Sequence, residues 1–155
     1  MTKDVMELLL IKYSNKQELR EDKLRRLVYL VDWEYTKKYK KQLTEINWSY
    51  ELGGPYSFNI LDVSEGDPNF TFEVRENMYG CNFSYIRLNK KGNISPKLSK
   101  DVRRVIYEVI RDTKSLSWDS FIYHVHQTAP IRTSNIYGPI NLGDFVDKEE
   151  GTNEK

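Results

Sequence analysis

The sequence predicts an α+β fold that is mainly helical, with a compact single-layered core of four to five helices and a small antiparallel β-hairpin. Apolar residues recur with helical spacing in the first 40 positions and again beyond residue 99. Between them, around residues 70–88, apolar and polar residues alternate as they do in half-buried strands. A chain of 155 residues suits a single domain of this kind.

Two helices are predicted in the N-terminal part, from Lys3 to Tyr13 and from Arg20 to Tyr39. The second has a continuous apolar stripe with the i, i+3, i+4, i+7 spacing of an amphipathic helix. The stripe consists of Leu24, Leu27, Val28, Val31 and Tyr35. Arg25 and Arg26 lie off this stripe, so we expect water to solvate them. Leu30 and Trp33 widen the apolar face, which favours a central position for this helix.

The middle of the chain alternates between turns and short elements. Residues 46–50 are predicted to be extended, and Gly53-Gly54-Pro55 is a turn signal. A short helix is predicted from Ser57 to Val63, with Ser57 as its N-cap. The alternating segments 70–75 and 83–88 then predict the hairpin, with Gly80 in the connection.

The C-terminal part contains two further predicted helices. One begins near Ser99 and the other at Ser117, and each serine is a good N-cap. Pro130 is expected to stop the second helix. Residues 1–146 are therefore predicted to form the domain, and residues 147–155, which are polar and lack an apolar anchor, a disordered tail.

Charge and cysteine content narrow the function classes. Lys and Arg number 24 against 23 Asp and Glu, so the net charge of +1 gives no overall attraction to nucleic acid or acidic lipid. The single cysteine, Cys81, excludes an intrachain disulfide and favours a reducing, cytoplasmic location. The apolar run of residues 8–11 ends at Lys12 and is too short for a membrane span. We expect no membrane association.

The search for catalytic or metal-binding patterns predicts none. His124 and His126 lie two positions apart on a predicted helix and point in different directions, so they cannot share a metal ion there. The glycines at residues 53–54 lack the spacing of a phosphate-binding loop. Cys81 and His126 carry no local signature of a nucleophilic pair. A small hydrolase that uses either residue is therefore the weakest hypothesis for the function, after the two described below. We expect a non-enzyme without cofactors.

A basic and aromatic segment at residues 35–41 supports an alternative function. Lys37, Lys38, Lys40 and Lys41 offer cations for phosphates, and Tyr35 or Tyr39 offers a ring on which a base can stack. A nucleic-acid-binding accessory or regulatory protein is therefore the second hypothesis. A solvated helix end explains the same residues, and the low net charge disfavours a nucleic-acid partner.

A cluster of aromatic residues remains without a catalytic explanation. It comprises Asp32, Trp33, Trp48, Tyr50, Gly54, Pro55 and Tyr56. Aromatic side chains beside a Gly-Pro turn form surfaces that suit protein recognition. The same tryptophans would equally fill a hydrophobic core, and composition does not separate these two interpretations.

The same residues carry a resemblance to a known family. The segments that carry it are Lys23–Tyr35 with its Asp-Trp pair, Gln42–Trp48, Gly54-Pro55-Tyr56-Ser57 and the stretch from Leu116 to Ile131. In this order, they resemble the Panacea domain, the SocA-like antitoxin domain that also occurs in phage-associated proteins. The resemblance covers about residues 5 to 146. Gly53 departs from it, because the family tends to have a bulky residue there.

The resemblance implies a mainly helical fold with a small sheet and a role as an antitoxin encoded beside a toxin. Some members of the family neutralise the toxin by direct binding, and others deliver it to a bacterial protease. For this chain, the resemblance implies a cytoplasmic, non-catalytic protein that binds a cognate toxin protein, with a protease as a further candidate partner. The seven residues of the aromatic cluster are the predicted partner-binding residues. The oligomeric state stays open.

Overall fold

The computed structural model of the chain describes residues 1–89 and 94–147. These residues contain six α-helices, one 3₁₀ helix and six β-strands. The helices are α1 (Thr2–Tyr13), α2 (Glu21–Tyr39), α3 (Asn59–Gly66), α4 (Lys100–Thr113), α5 (Trp118–His126) and α6 (Ala129–Thr133), with the 3₁₀ helix at Leu142–Phe145. The strands are β1 (Glu18–Arg20), β2 (Trp48–Glu51), β3 (Gly54–Tyr56), β4 (Phe70–Glu76), β5 (Asn82–Leu88) and β6 (Pro139–Ile140).

The strands form two separate antiparallel sheets. In the first, with the order β1-β5-β4, Ile86 of the central strand lies between Leu19 and Phe72. In the second, with the order β3-β2-β6, Trp48 pairs with Ile140 and Tyr50 pairs with Pro55. The second sheet joins the Gly-Pro turn to a segment more than 80 positions further along the chain.

The predicted arrangement of a single helical layer of four to five helices with one small hairpin is wrong. Among the described residues, six helices and two three-stranded sheets are present, although the α+β class and the β4–β5 hairpin agree with the prediction. The elements that the sequence did not predict are β1, β3, β6, α6 and the 3₁₀ helix, with three, three, two, five and four residues. Elements this short contain less than two periods of a hydrophobic pattern, so the sequence gives no signal for them.

Helix α2 is the centre of the fold, and it is buried along most of its length. Tyr29, Leu30 and Trp33 are at most 1% exposed, because α1 and α4 pack against α2 and both sheets contact it. The expectation that water solvates Arg25 and Arg26 is wrong, because they are only 9% and 6% exposed. Their guanidinium groups find acceptors inside the protein, as described below.

The predicted helix ends are partly confirmed. The Ser99 hydroxyl accepts a hydrogen bond from the Val102 backbone N–H, and the Ser117 hydroxyl accepts one from Ser120. Ser57 does not cap α3, because the helix begins two residues later. Pro130 lies in the first turn of α6, where proline is tolerated, and α5 already ends at His126. Most of the predicted tail, residues 148–155, lies outside the described part of the chain.

A buried carboxylate ties α2 to the segment that follows it. Asp32 is 0% exposed and accepts hydrogen bonds from the Thr44 backbone N–H at 2.9 Å, the Thr44 hydroxyl at 2.5 Å and the Trp48 indole N–H at 2.8 Å. Burial raises the pKa of Asp32 to about 6, although these donors oppose the rise. The three contacts fix the path from the end of α2 to the first residue of β2.

We predict that Asp32→Asn lowers the free energy of unfolding by about 1–3 kcal/mol, because an amide cannot accept from all three donors. The folded-state pKa of about 6 lies above the ordinary 3.8, so the folded protein holds this proton more tightly than the unfolded chain. The contribution of Asp32 to stability is therefore full below the ordinary pKa and declines as the pH rises through the interval between the two values.

Urea unfolding of wild type and Asp32→Asn across that interval measures both effects. Asp62→Asn, at an exposed position on α3, is the matched control and should change little. Equal losses in the two variants, or a wild-type advantage that grows with pH, would contradict the prediction.

Candidate partner-binding groove

The hairpin formed by β2 and β3 is held on α2 by Arg25. Its Nη1 donates to both carboxylate oxygens of Glu21 at 2.7 Å, and its Nε donates to the Pro55 carbonyl at 3.3 Å. The guanidinium carbon lies 4.9 Å from the centre of the Tyr56 ring. This buried ion pair within one helix therefore also fixes strand β3.

Arg26 holds the turn of the same hairpin. It donates to the Asp22 carbonyl at 2.9 Å and to the Gly53 carbonyl at 2.5 Å, and its guanidinium lies 5.8 Å from the Trp118 ring. Burial, followed by the neighbouring Arg25, lowers the pKa of Arg26. Its Nε has no hydrogen-bond partner among the described residues. The cation is thus bound by main-chain carbonyls and an aromatic ring instead of a carboxylate.

Both the backbone conformation at position 54 and the space around it favour glycine. Its φ of +113° is a conformation that L side chains rarely adopt. A Cβ at this position would lie 3.2 Å from Nε2 of His126. The His126 ring also meets the Tyr50 ring edge-on, with 6.5 Å between their centres. The Gly-Pro turn and the end of α5 therefore pack closely together.

An open groove of about 690 Å³ lies beside this hairpin. It is lined by Asn47, Ser49, Glu51, Leu52, Gly53, Tyr56, Ser57, Phe58, Asn59 and Tyr137. Leu52, Phe58 and Tyr137 are 78%, 67% and 67% exposed, which is high for large apolar side chains. The Phe58 ring packs edge-on against Tyr56, with 5.1 Å between ring centres. We call these lining residues the hairpin groove.

Tyr137 lies at the groove in a strained backbone conformation. Its φ of +69° is left-handed, which costs a non-glycine residue about 1–2 kcal/mol. The Tyr137 N–H donates to the Tyr50 carbonyl at 2.5 Å, and the Tyr50 N–H donates to the Gly138 carbonyl at 2.8 Å. These bonds to β2 hold the strained residue in place, so that its side chain is presented at the rim.

Comparison with known families identifies the chain. The family described as "Antitoxin SocA-like, Panacea domain" matches residues 24–130, which include α2, the Gly-Pro turn and α5. The chain belongs to this family. No curated protein and no solved structure matches it. Within the described residues, no helix has the length and apolar character needed to cross a bilayer.

The seven predicted partner-binding residues of this Panacea domain occupy different environments. Asp32, Trp33 and Trp48 are at most 2% exposed, and Gly54 and Pro55 are also buried. Tyr50 and Tyr56 are half-buried, and Tyr56 lines the hairpin groove. Five of the seven lie in the hairpin of β2 and β3, and Asp32 bonds to Trp48, so the structure brings six of them together. Trp33 lies on α2, where the Lys37 ammonium is 5.4 Å from the centre of its ring. The contact of these seven residues with a partner stays a prediction.

Of the groove residues, only Tyr56 was predicted from the sequence, and the three exposed large apolar side chains were not. Leu52 and Phe58 flank the Gly-Pro motif. Large apolar residues beside a turn indicate an exposed apolar patch, which is typical of interaction sites. Tyr137 gives no such indication, because only the pairing of β6 with β2 brings it to the groove.

The residues on which the hydrolase and nucleic-acid hypotheses depend are either far apart or paired with other side chains. Cys81 is exposed in the β4–β5 turn, whereas His126 packs on Gly54. Lys37 pairs with Glu34 at 3.0 Å, and Lys38 pairs with Glu108 at 2.6 Å. Within residues 1–89 and 94–147, no group of three or more His, Cys, Asp or Glu side chains is arranged to hold a metal ion.

We predict that Gly54→Ala lowers the free energy of unfolding by about 1–3 kcal/mol, because the added methyl group meets His126 and the left-handed backbone is strained. Gly66→Ala is the matched control, since a Cβ there meets nothing within 4 Å. In helix α3 this control should be neutral or stabilising by up to about 1 kcal/mol.

Thermal unfolding of the two variants measures the difference. Combining Gly54→Ala with His126→Ala should recover the steric part of the loss but not the backbone part. A Gly54→Ala variant as stable as Gly66→Ala would show that the turn tolerates a side chain.

Proposed function

We propose that this Panacea domain is an antitoxin-like interaction module that binds and neutralises a cognate toxin protein in a bacterial or prophage toxin–antitoxin system. It acts in the cytoplasm without catalysing a reaction. Family membership supports a protein partner of this kind. The hairpin groove is the surface that we propose the toxin covers.

The observation that carries the proposal is the exposure of Leu52, Phe58 and Tyr137 around one groove. Such clustered apolar side chains are characteristic of protein-binding sites, and aromatic anchors supply much of the binding free energy in interfaces. The groove is built on the Gly-Pro-Tyr motif that lies inside the family match. A stable interface of about 800 Å² per partner would extend beyond the groove onto neighbouring surface.

The groove is also fixed before any partner arrives. Arg25 and Arg26 bind the carbonyls of Pro55 and Gly53, and the bonds of Tyr137 to β2 hold the opposite rim. A site that needs little ordering loses less conformational entropy on binding. This favours direct and tight association with one partner.

Two routes lead from binding to neutralisation. In the direct route the bound domain blocks the toxin, and in the adaptor route it delivers the toxin to a bacterial protease. The alternative of a nucleic-acid-binding protein stays a prediction, and the carboxylate partners of Lys37 and Lys38 reduce the charge available for it.

Co-expression with the product of an adjacent gene tests the proposal. We expect the neighbouring protein to be toxic alone and harmless together with this domain. Leu52→Ala with Phe58→Ala should abolish rescue and weaken the complex at least about tenfold, or 1.4 kcal/mol, because it removes two exposed anchors. Calorimetry on purified proteins measures the affinity.

Tyr123→Ala is the control, since Tyr123 is 66% exposed on α5 and does not line the groove. Repeating the rescue in cells that lack each major cytoplasmic protease separates the two routes. If no adjacent product is toxic and rescued, the antitoxin function is refuted. If rescue survives the double alanine variant, binding occurs at another surface.

We predict opposite effects of Tyr137→Gly on stability and on binding. Glycine removes the left-handed backbone strain, so the free energy of unfolding should rise by up to about 1–2 kcal/mol. The same change removes a rim side chain and should weaken toxin binding. Gln17→Gly is the matched control, because Gln17 has a similar φ of +53° but lies next to β1, in the other sheet. It should stabilise the fold and leave affinity unchanged.

Thermal unfolding and calorimetry on the same preparations give both quantities. A Tyr137→Gly variant that binds as tightly as wild type would remove Tyr137 from the interface.

A further inference from the structure

Strand β4 is the outer strand of the first sheet, and its hydrogen-bonding direction follows from the register. The Asn77 N–H donates to the Cys81 carbonyl, and the Asn89 N–H donates to the Asn69 carbonyl. Both pairs continue the β4–β5 register, so the odd-numbered residues of β4 direct their N–H and C=O groups towards β5. The even-numbered residues direct theirs to the open edge.

The open edge offers backbone groups without partners. Phe70 N–H is bound by the Asp67 carbonyl, but the N–H and C=O groups of Phe72, Val74 and Glu76 have no hydrogen-bond partner among the described residues. Val74 is 56% exposed and Glu76 is also exposed. β4 contains no proline or lysine, which often protect the edges of sheets. Such a row of alternating donors and acceptors matches another extended strand.

One register pairs this edge with itself. In an antiparallel pair centred on Val74, Val74 faces Val74 of the second copy and Phe72 faces Glu76. On the other side of the sheet, Glu73 then faces Arg75 of the second copy, and Arg75 faces Glu73. The twofold axis therefore places two pairs of opposite charges directly across the new junction. These pairs add to the ion pairs that Arg75 makes within its own chain, with Glu18 at 2.7 Å and with Glu73 at 2.9 Å.

The neighbouring symmetric registers are unfavourable. Centring the pair on Glu73 puts two carboxylates opposite each other, and centring it on Arg75 puts two guanidinium groups opposite each other. Like charges directly across a strand pair are destabilising. Of these three registers, only the one centred on Val74 places opposite charges across the junction.

We propose that a second copy of this chain pairs through β4 and that the two sheets become one six-stranded antiparallel sheet in the order β1-β5-β4-β4-β5-β1. The interface is separate from the hairpin groove and does not depend on the proposed antitoxin function. A contact of about five residues per strand lies at the small end of interface sizes, so the dimer is reversible and dilution separates it.

Charge-reversal substitutions at Glu73 and Arg75 test the proposed pairing between the two copies. Sedimentation velocity over a concentration series should show wild type moving from monomer to dimer. Glu73→Arg gives two Arg–Arg contacts in its own dimer, and Arg75→Glu gives two Glu–Glu contacts, so each variant alone should be monomeric. An equal mixture restores both opposite-charge pairs, since each Arg then faces a Glu. We expect the mixture to dimerise again.

Backbone substitution provides a second measurement. Val74→Pro removes an N–H that points to the open edge and leaves the bonds to β5 intact, which proline permits on an outer strand. The dimer dissociation constant should rise at least about tenfold, or 1.4 kcal/mol, because two intermolecular hydrogen bonds are lost across the twofold axis. Val74→Ala keeps the N–H and should retain most of the dimer. Circular dichroism checks the fold of each variant.

Three results would overturn the proposal. The first is a wild type that stays monomeric at its highest soluble concentration. The second is a dimer that is indifferent to Val74→Pro, and the third is a mixture of the two charge variants that stays monomeric. If wild type is monomeric and Val74→Pro instead abolishes binding to a different protein, the edge accepts a strand from that protein and self-pairing is refuted.

Discussion

The buried carboxylate of Asp32 is the contact on which the hairpin side of the molecule depends. It lies on the central helix and receives donors from Thr44 and Trp48, so one side chain determines how the chain leaves α2 and where β2 begins. Trp48 in turn pairs with Ile140 and anchors the second sheet. The position of the groove therefore depends on the buried hydrogen bonds of Asp32, which does not itself line the groove.

Helix periodicity and strand alternation account for what the sequence predicts well. The apolar stripe of α2 and the alternation in β4 extend over several periods, and both elements form where expected. Periodicity does not reveal how charged residues are satisfied. Arg25 and Arg26 lie off the apolar stripe, yet they are buried because main-chain carbonyls distant in sequence accept from them. Such acceptors leave no trace in the residue pattern.

The candidate site was also predicted only in part. Five of the seven predicted partner-binding residues lie in the hairpin of β2 and β3, and Asp32 bonds to one of them, Trp48. The sequence pattern does not show which of these residues face the core. Trp48, for example, is buried with its indole N–H bonded to Asp32, which lies 16 positions earlier in the chain. The exposed large apolar side chains of the groove are those of the neighbours Leu52 and Phe58, together with Tyr137, which lies just before the two-residue strand β6. Long-range strand pairing of this length cannot be predicted from local propensity.

The contacts by which α2 holds the hairpin separate the scaffold of the groove from the side chains exposed on it. Arg25 and Arg26 bind the main-chain carbonyls of Pro55 and Gly53, and these acceptors do not depend on which side chains are present at Leu52 and Phe58. A substitution at either of these two positions therefore changes the surface of the groove and leaves the contacts between α2 and the hairpin in place.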